Sequence, residues 1–295
     1  MKLLLDFLNI IVNAIVEGIT EWLPVSSTGH MMLLQHFWRF NNTETIFTDA
    51  FLEMFNVVVQ FGAILAVCTL YRKKLNPLSN KLTDGQKKRI WNIWLKVLIG
   101  CMPAGIIGVL FDDWFDEHFY NVPVIAAMLI LYGIGFIVME LFNRGKEDFR
   151  VEKMNELDYK TVILIGLFQI LAIIPGTSRS GVTILGAMIL GCSRSIAAEF
   201  TFYLAIPIMA GASLLKIVKY LKHVAEGSAT LNLPQVLAMG IGMAVAYVVS
   251  LYAITYLMKF IKKKSFTGFG IYRIVLGIVV FFLLFVLPFV TTLFK

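Results

Sequence analysis

The chain has 295 residues, 58% of them hydrophobic and 15% charged, with a net charge of +7 from 26 Lys and Arg against 19 Asp and Glu. Soluble domains carry about 25% charged residues, and a core of this size could not bury so much apolar surface, so a soluble globular fold is excluded and a membrane protein is indicated. The basic excess lies in loops between apolar runs, with no basic face interleaved by aromatics; this argues against a nucleic-acid partner and for topology signals and lipid headgroup contacts.

The chain begins with Lys2 and an apolar run to Val12 that Asp6 and Asn9 interrupt. No small-residue cleavage site follows before Glu17, so the segment is expected to stay on the protein. Residues 3–38 are apolar at both ends but broken by Glu17, Glu21 and the run Pro24-Val25-Ser26-Ser27-Thr28-Gly29-His30. Three spans are expected next, at 51–71, 91–111 and 123–142, each long enough for about 30 Å of hydrocarbon. Residues 159–190 form a second interrupted stretch, broken by Pro175-Gly176-Thr177-Ser178-Arg179-Ser180-Gly181. Three further spans are expected at 197–218, 234–260 and 271–289. Irregular backbone at membrane depth survives only where protein or a watery cavity satisfies its polar groups, so the two broken stretches are read as re-entrant hairpins. The expected fold is an all-α polytopic membrane protein with six transmembrane helices and two re-entrant hairpins.

A shift of 152 residues pairs Ser26 with Ser178, Thr28 with Ser180, Gly29 with Gly181, and Glu17 with Gln169. This suggests an internal repeat of residues 1–145 and 155–295 around a cytoplasmic linker at 146–154. Three spans per half would invert the second copy, as in many transporter folds. Loop charges support that topology. Arg72, Lys73, Lys74, Lys81, Lys87, Lys88 and Arg89 mark a cytoplasmic loop, as do Lys262, Lys263 and Lys264. The next loop, with Asp112, Asp113, Asp116 and Glu117, suits the outside. Lys216, Lys219 and Lys222 fit poorly, since the topology puts them outside too. The first hairpin then opens outward and the second inward. Cys68, Cys101 and Cys192 share no short spacing and read as packing residues.

Glu17 and Glu21 are four apart and share a helix face. An acidic group at mid-membrane costs about 2.5–3.5 kcal/mol, so a pair there calls for a metal, a proton or a cationic partner; the plainer reading puts both at a solvated interface. Ser26 to His30 concentrates hydroxyls, a flexible glycine and an imidazole before a new helical arm, where backbone N–H groups favour phosphate, although any one hydroxyl could serve as an N-cap. Arg179 reads as the only arginine inside an apolar stretch and away from its ends. Its planar fork suits phosphate oxygens, snorkelling to a headgroup being the alternative.

The run Glu17-Gly18-Ile19-Thr20-Glu21-Trp22-Leu23-Pro24-Val25-Ser26-Ser27-Thr28-Gly29-His30, together with Pro175 to Gly181, closely resembles the undecaprenyl-diphosphate phosphatase family of bacteria, the family linked to bacitracin resistance. Trp22 stands where phenylalanine is common. The resemblance implies hydrolysis of undecaprenyl diphosphate to the monophosphate and phosphate, which recycles the lipid carrier of cell-wall polymers. It also implies dependence on a divalent cation, a multi-pass protein of the bacterial plasma membrane, and an active site open to the outer face. Carried onto this chain, it makes Glu17, Glu21, Ser27, His30 and Arg179 the catalytic group. Ser26, Thr28, Gly29, Thr177, Ser178, Ser180 and Gly181 would bind phosphate.

The chemistry of the residues then assigns the metal, Mg²⁺ or Ca²⁺, to Glu17 and Glu21. Ser27 is the candidate nucleophile with His30 or Glu21 as its base, and direct attack by water fits equally well. Gln169 is expected to support the site by hydrogen bonding. A polyprenyl-phosphate flippase or secondary transporter on the same fold is the competing reading. A homodimer is compatible with the sequence.

Overall fold

The computed structural model describes residues 2–37, 48–146 and 148–287. Trp38 at the end of the first expected hairpin, residues 288 and 289 of the last expected span, and the side chains of Asp112, Asp113 and Asp116 lie outside the described residues. Among the described residues the helices are α1 (Lys2–Thr20), α2 (Ser27–Phe37), α3 (Asp49–Leu70), α4 (Arg72–Leu75), α5 (Asp84–Phe119), α6 (Val122–Phe142), α7 (Tyr159–Ile170), α8 (Arg179–Ile189), α9 (Arg194–Ala225), α10 (Leu233–Phe260) and α11 (Thr267–Phe281). A 3₁₀ turn, Leu171–Ile173, extends α7, and a π turn, Phe282–Val286, extends α11.

Seven of these helices are long and apolar enough to cross a bilayer: α1, α3, α5, α6, α9, α10 and α11. Six match the expected spans. The seventh, α1, is the arm that the sequence reading took as half-length. Asp6, Asn9 and Asn13 do not interrupt it, because a polar side chain inside a helix leaves the backbone ladder intact; the helix stops only at the turn before Pro24. The second broken stretch keeps two short arms, α7 and α8.

The ends of the helices follow local chemistry. Thr48 accepts from the Phe51 amide at 3.2 Å to cap α3. Asn121 caps α6 through the Val124 amide at 3.0 Å, and Asn232 and Gln235 form a reciprocal box at the start of α10. Each satisfies N–H groups that have no partner inside the helix.

One expectation needs correction. The charged flanks of the 91–111 span were read as loops, but α5 runs through them, so Lys87, Lys88 and Arg89 sit in its first turns and Asp112, Asp113, Asp116 and Glu117 in its last. At 1.5 Å per residue its 36 residues reach about 54 Å, well beyond the hydrocarbon, so both ends can carry charge in water without leaving the helix. The poorly fitting lysines of α9 also find a local explanation. Lys216 pairs with Glu53 at 2.5 Å and Lys222 with Glu226 at 3.8 Å, which offsets their charge.

In the packing, α1 lies along α10 and α7 along α5, while α3 packs on α9 and α10, and α6 on α11. Close helix approach depends on missing side chains. A Cβ on Gly62 of α3 would lie 2.1 Å from the Met243 carbonyl oxygen of α10. Gly133 and Gly270 face each other reciprocally, each placing such an atom 2.7 Å from the other's carbonyl oxygen. Small residues that let backbones touch are the usual basis of helix association in lipid.

Candidate active site

The two breaks meet inside the bundle. After α1 the chain keeps two more helical bonds, from the Glu21 amide to the Glu17 carbonyl at 3.0 Å and from the Leu23 amide to the Ile19 carbonyl at 3.4 Å, and then turns through Pro24 and Val25 to Ser26. Ser26 has φ +70° and Ser178 has φ +69°; among the described residues they are the only non-glycine positions with positive φ. Each immediately precedes a short arm, α2 or α8, and the two are 152 residues apart. The left-handed backbone lets the chain reverse within one residue and start a helix whose first amides point back into the break.

The predicted residues gather here. Arg179 donates to Glu21 at 2.8 Å through Nη2 and to the Thr201 carbonyl at 3.1 Å through Nη1, with its guanidinium 5.9 Å from the centre of the Trp22 ring. Ser180 donates to the Glu21 carbonyl at 3.0 Å, tying one tip to the other. Ser27 donates to the second oxygen of Glu21 at 3.4 Å. Glu17 is buried and accepts from Gln60 of α3 at 2.8 Å. In the second tip the Gly181 amide donates to Ser178 Oγ at 3.2 Å, which caps α8, and Ser178 and Ser180 hydroxyls lie 3.3 Å apart. Gly29 is buried against Leu129 and Leu276, so its missing side chain serves the packing of α2. Thr28, beside it, is half-buried.

His30 is held elsewhere in the same region. Its Nδ1 lies 2.7 Å from the Ser26 carbonyl, which can only accept, so Nδ1 carries the hydrogen. Its Nε2 lies 2.7 Å from the Tyr272 hydroxyl, and the two rings stack. Both nitrogens are therefore engaged, and of the two bases weighed for Ser27, Glu21 is the one in contact with it.

Gln169 is buried but makes no conventional hydrogen bond among the described residues. Its sequence position matches Glu17 under the 152-residue shift, while its side chain does not reach the pair of acids through any such bond.

Sequence reasoning missed Arg273, and the statement that Arg179 is the only such arginine is corrected. Arg273 of α11 is fully buried and donates to the carbonyls of Pro24, Gly176 and Thr177 at 3.3, 3.0 and 2.9 Å. It bolts the two irregular tips together by their backbone, which is where such carbonyls would otherwise face lipid. The signal was present: a guanidinium three residues into an expected span has no cheap place in oil. Gln60 was equally visible as a polar residue inside the 51–71 span.

Several buried donors at the tips have no acceptor among the described residues: Trp22 Nε1, Ser26 Oγ, Thr177 Oγ1 and the Nε atoms of Arg179 and Arg273. Buried polar atoms are normally paired, so a cluster of orphan donors marks a place for incoming acceptor oxygens. For a cation the donor set is thinner. Glu17, Glu21 and the Ser27 hydroxyl offer oxygens, but no group of three His, Cys, Asp or Glu side chains among the described residues could hold a metal. Mg²⁺ is commonly held by one or two carboxylates together with substrate phosphates, so the residues fit a cation shared with substrate and not a protein-only cage.

The fold and this junction define a class: a multi-pass, all-helical membrane protein in which two helix breaks meet through buried polar side chains. The chain belongs to the bacitracin resistance protein BacA family, whose pattern it matches over residues 10–279. It is 49% identical over 280 residues to the undecaprenyl-diphosphatase of Streptococcus mutans, covering 95% of this chain and 96% of that one. It is 50% identical over 277 residues to the undecaprenyl-diphosphatase of Acetivibrio thermocellus, covering 94% and 97%. The undecaprenyl-diphosphatase of Enterococcus faecalis is 48% identical over 267 residues, covering 90% and 93%.

Proposed function

We propose that the chain hydrolyses undecaprenyl diphosphate to undecaprenyl phosphate and inorganic phosphate at the junction of the two tips. The observation that carries this is the largely buried Arg179–Glu21 pair with half-buried Ser27 against it, Arg179 to Glu21 at 2.8 Å and Ser27 to Glu21 at 3.4 Å, beside donors that have no acceptor among the described residues. The fold suits the substrate, because a long prenyl tail stays in lipid while its diphosphate reaches a polar chamber within the membrane.

Arg179, the Ser26 and Thr177 hydroxyls and the first amides of α2 and α8 receive the phosphate oxygens. Arg179 must then exchange part of its contact with Glu21 for substrate, which frees the carboxylate. Glu21 takes the proton of Ser27 as the oxygen attacks the terminal phosphorus in line, and undecaprenyl phosphate leaves. Water then cleaves the phosphoserine and releases phosphate. Glu17 and Glu21 would hold a divalent cation together with the substrate phosphates, and its charge would neutralise the transferred phosphoryl group. His30, bonded to the Ser26 carbonyl and Tyr272, fixes the left-handed turn that presents Ser27.

The two tips are read as re-entrant, from opposite faces, in an inverted repeat. Three findings support this: the matched left-handed serines, the exchanged packing of α1 on α10 and α7 on α5, and the reciprocal approach of Gly133 and Gly270. The helices α3 and α10 run parallel, with Phe55 at Gly242, Gly62 at Met243 and Thr69 at Tyr247, so the basic segments after both helices share one end. That end is cytoplasmic by the positive-inside rule, and the first hairpin opens to the outer face.

The test is phosphate release from undecaprenyl diphosphate by purified protein in detergent, with and without EDTA. Release that EDTA suppresses is the expected result. No release, or release untouched by EDTA, contradicts the hydrolase or the cation assignment respectively. A transporter would release nothing where no compartments exist.

A further inference from the structure

The helix α1 is amphipathic the wrong way round for a water-soluble protein. Asp6, Asn9, Asn13, Glu17 and Glu21 recur at intervals of three or four, which places them on one face, and all five are buried. Leu4, Leu8, Ile15 and Ile19 form the opposite face and are exposed. The polar face therefore looks into the protein and the apolar face into lipid. From Asp6 to Glu21 it spans fifteen residues, about 22 Å at 1.5 Å per residue, from the end where α1, α3 and α10 begin to the site itself.

Helix–helix bonding does not account for this stripe. The Asn13 amide donates to the Asn9 carbonyl of its own helix at 2.8 Å, a bond within α1. Asn9 Oδ1 is buried with no hydrogen-bonding partner among the described residues, although Asn9 is more than nine-tenths buried. Among the described residues the stripe bonds other helices only at its inner end, where Glu17 accepts from Gln60 and Glu21 from Arg179 and Ser27, while no hydrogen bond ties Asp6, Asn9 or Asn13 to a neighbouring helix. Between Asp6 and Glu21 the chain carries no Lys, Arg or His, and the side chains of the stripe offer carboxylate and amide oxygens.

We propose that this face is a hydrated track that conducts a hard divalent cation, with its water, from the end of the bundle where α1 begins to the Glu17–Glu21 pair. Asp6 stands at the mouth, Asn9 and Asn13 supply neutral oxygens along the way, and Glu17 and Glu21 receive the ion. Oxygen ligands of this kind are what Mg²⁺ and Ca²⁺ prefer, and neutral amides in mid-path keep the binding weak enough for passage. The proposal rests on the reading of Glu17 and Glu21 as the cation-holding pair.

The test reads access, without turnover. Single cysteines replace Asn9, Asn13, Leu8 or Ile15 in a background with Cys68→Ser, Cys101→Ser and Cys192→Ser, reconstituted in nanodiscs. Each is treated with a cationic and an anionic methanethiosulfonate of similar size. Asn9→Cys and Asn13→Cys should react at least about tenfold faster than Leu8→Cys and Ile15→Cys, and faster with the cationic reagent, since one-signed clefts concentrate counter-ions by about that factor. Mn²⁺ should slow the labelling of Asn13→Cys. Equal rates on the two faces would overturn the track, and a preference for the anionic reagent would overturn its cation character. For variants that fail to fold, paramagnetic broadening of labelled Asn9 and Asn13 amides by Mn²⁺ in the wild-type chain decides the same question: broadening supports the track and its absence overturns it. Phosphate release measured in parallel keeps the phosphatase reading separate, because a dry stripe leaves that activity unchanged.

Discussion

Arg179 and Glu21 are each about a tenth exposed at the side chain and 2.8 Å apart, so each compensates the other's removal from water. Removing one partner of a buried pair costs about 3–5 kcal/mol, mostly from the charge left behind, whereas replacing both can be nearly neutral. Arg179→Ala should therefore lower thermal stability sharply and abolish phosphate release. Adding Glu21→Gln should restore much of the stability and none of the activity. Unfolding in detergent followed alongside phosphate release checks both halves; recovery of activity in the double variant would contradict the roles given to these groups.

The two left-handed serines make a finer test at the same scale. A non-glycine residue at φ near +70° is strained by about 1–2 kcal/mol, which glycine relieves. Ser26 Oγ has no partner to lose, so Ser26→Gly should raise stability by about 1 kcal/mol while weakening turnover through the lost phosphate contact. Ser178 caps α8 through the Gly181 amide, and a lost cap costs about as much as the strain, so Ser178→Gly should come out near neutral. A calorimetric comparison of the two separates them; equal gains would deny Ser178 its capping role. The chemical residues were legible at this scale because acids, hydroxyls and arginine stand out against an apolar background. Their pairings were not: Gln60, Tyr272 and the Thr201 carbonyl come from other helices, and no spacing rule links them to Glu17, His30 or Arg179.

At the scale of elements, hydrophobic run length located all six spans, with ends within about four residues except at α5 and at the end of α9, which runs seven residues past the expected 218 to Ala225, since the bilayer thickness sets the apolar length and not the helix length. It failed at the ends of α5, where helix continues into charged sequence because nothing there breaks it, and at α1, whose polar residues were taken for an interruption when they mark a face. Arg273 shows what an element can do that a motif cannot. Its guanidinium, fully buried on α11, holds backbone carbonyls of both tips, and hydrogen bonds to charged groups are worth about 1.5–3 kcal/mol each. Arg273→Met should destabilise by about 3 kcal/mol or more and lower kcat by disordering both tips together. Arg273→Lys, with a single point charge in place of the fork, should recover only part of either. If Arg273→Met kept wild-type stability and kcat, the tips would have to be held by something else.

At the scale of the whole molecule, the packing crosses the midpoint of the chain. The arm α1 lies on α10 of the other half, α7 lies on α5, and α3 packs on both α9 and α10. The proposed repeat shows in the sequence only as sparse matches around two serines, since the residues beside them differ: Glu17 aligns with Gln169 under the shift, and Ser27 with Arg179. The backbone at the two aligned serines shares its positive φ, +70° at Ser26 and +69° at Ser178. Such interlocking means that neither half can bury its own polar breaks. The tip of the first half needs Arg179 and Arg273 from the second, and the second needs the Pro24 and Glu21 carbonyls from the first. The segment near residue 147 is the natural place to divide them, since Val151 and Arg150 are already bonded to Gly191, Leu190 and Asp158 of the second half. Fragments 1–147 and 148–295 should each be degraded when expressed alone, yet persist, co-purify and release phosphate when expressed together. Half-fragments stable by themselves would show that the two copies are independent units, and the exchanged packing would then contribute little to holding the site.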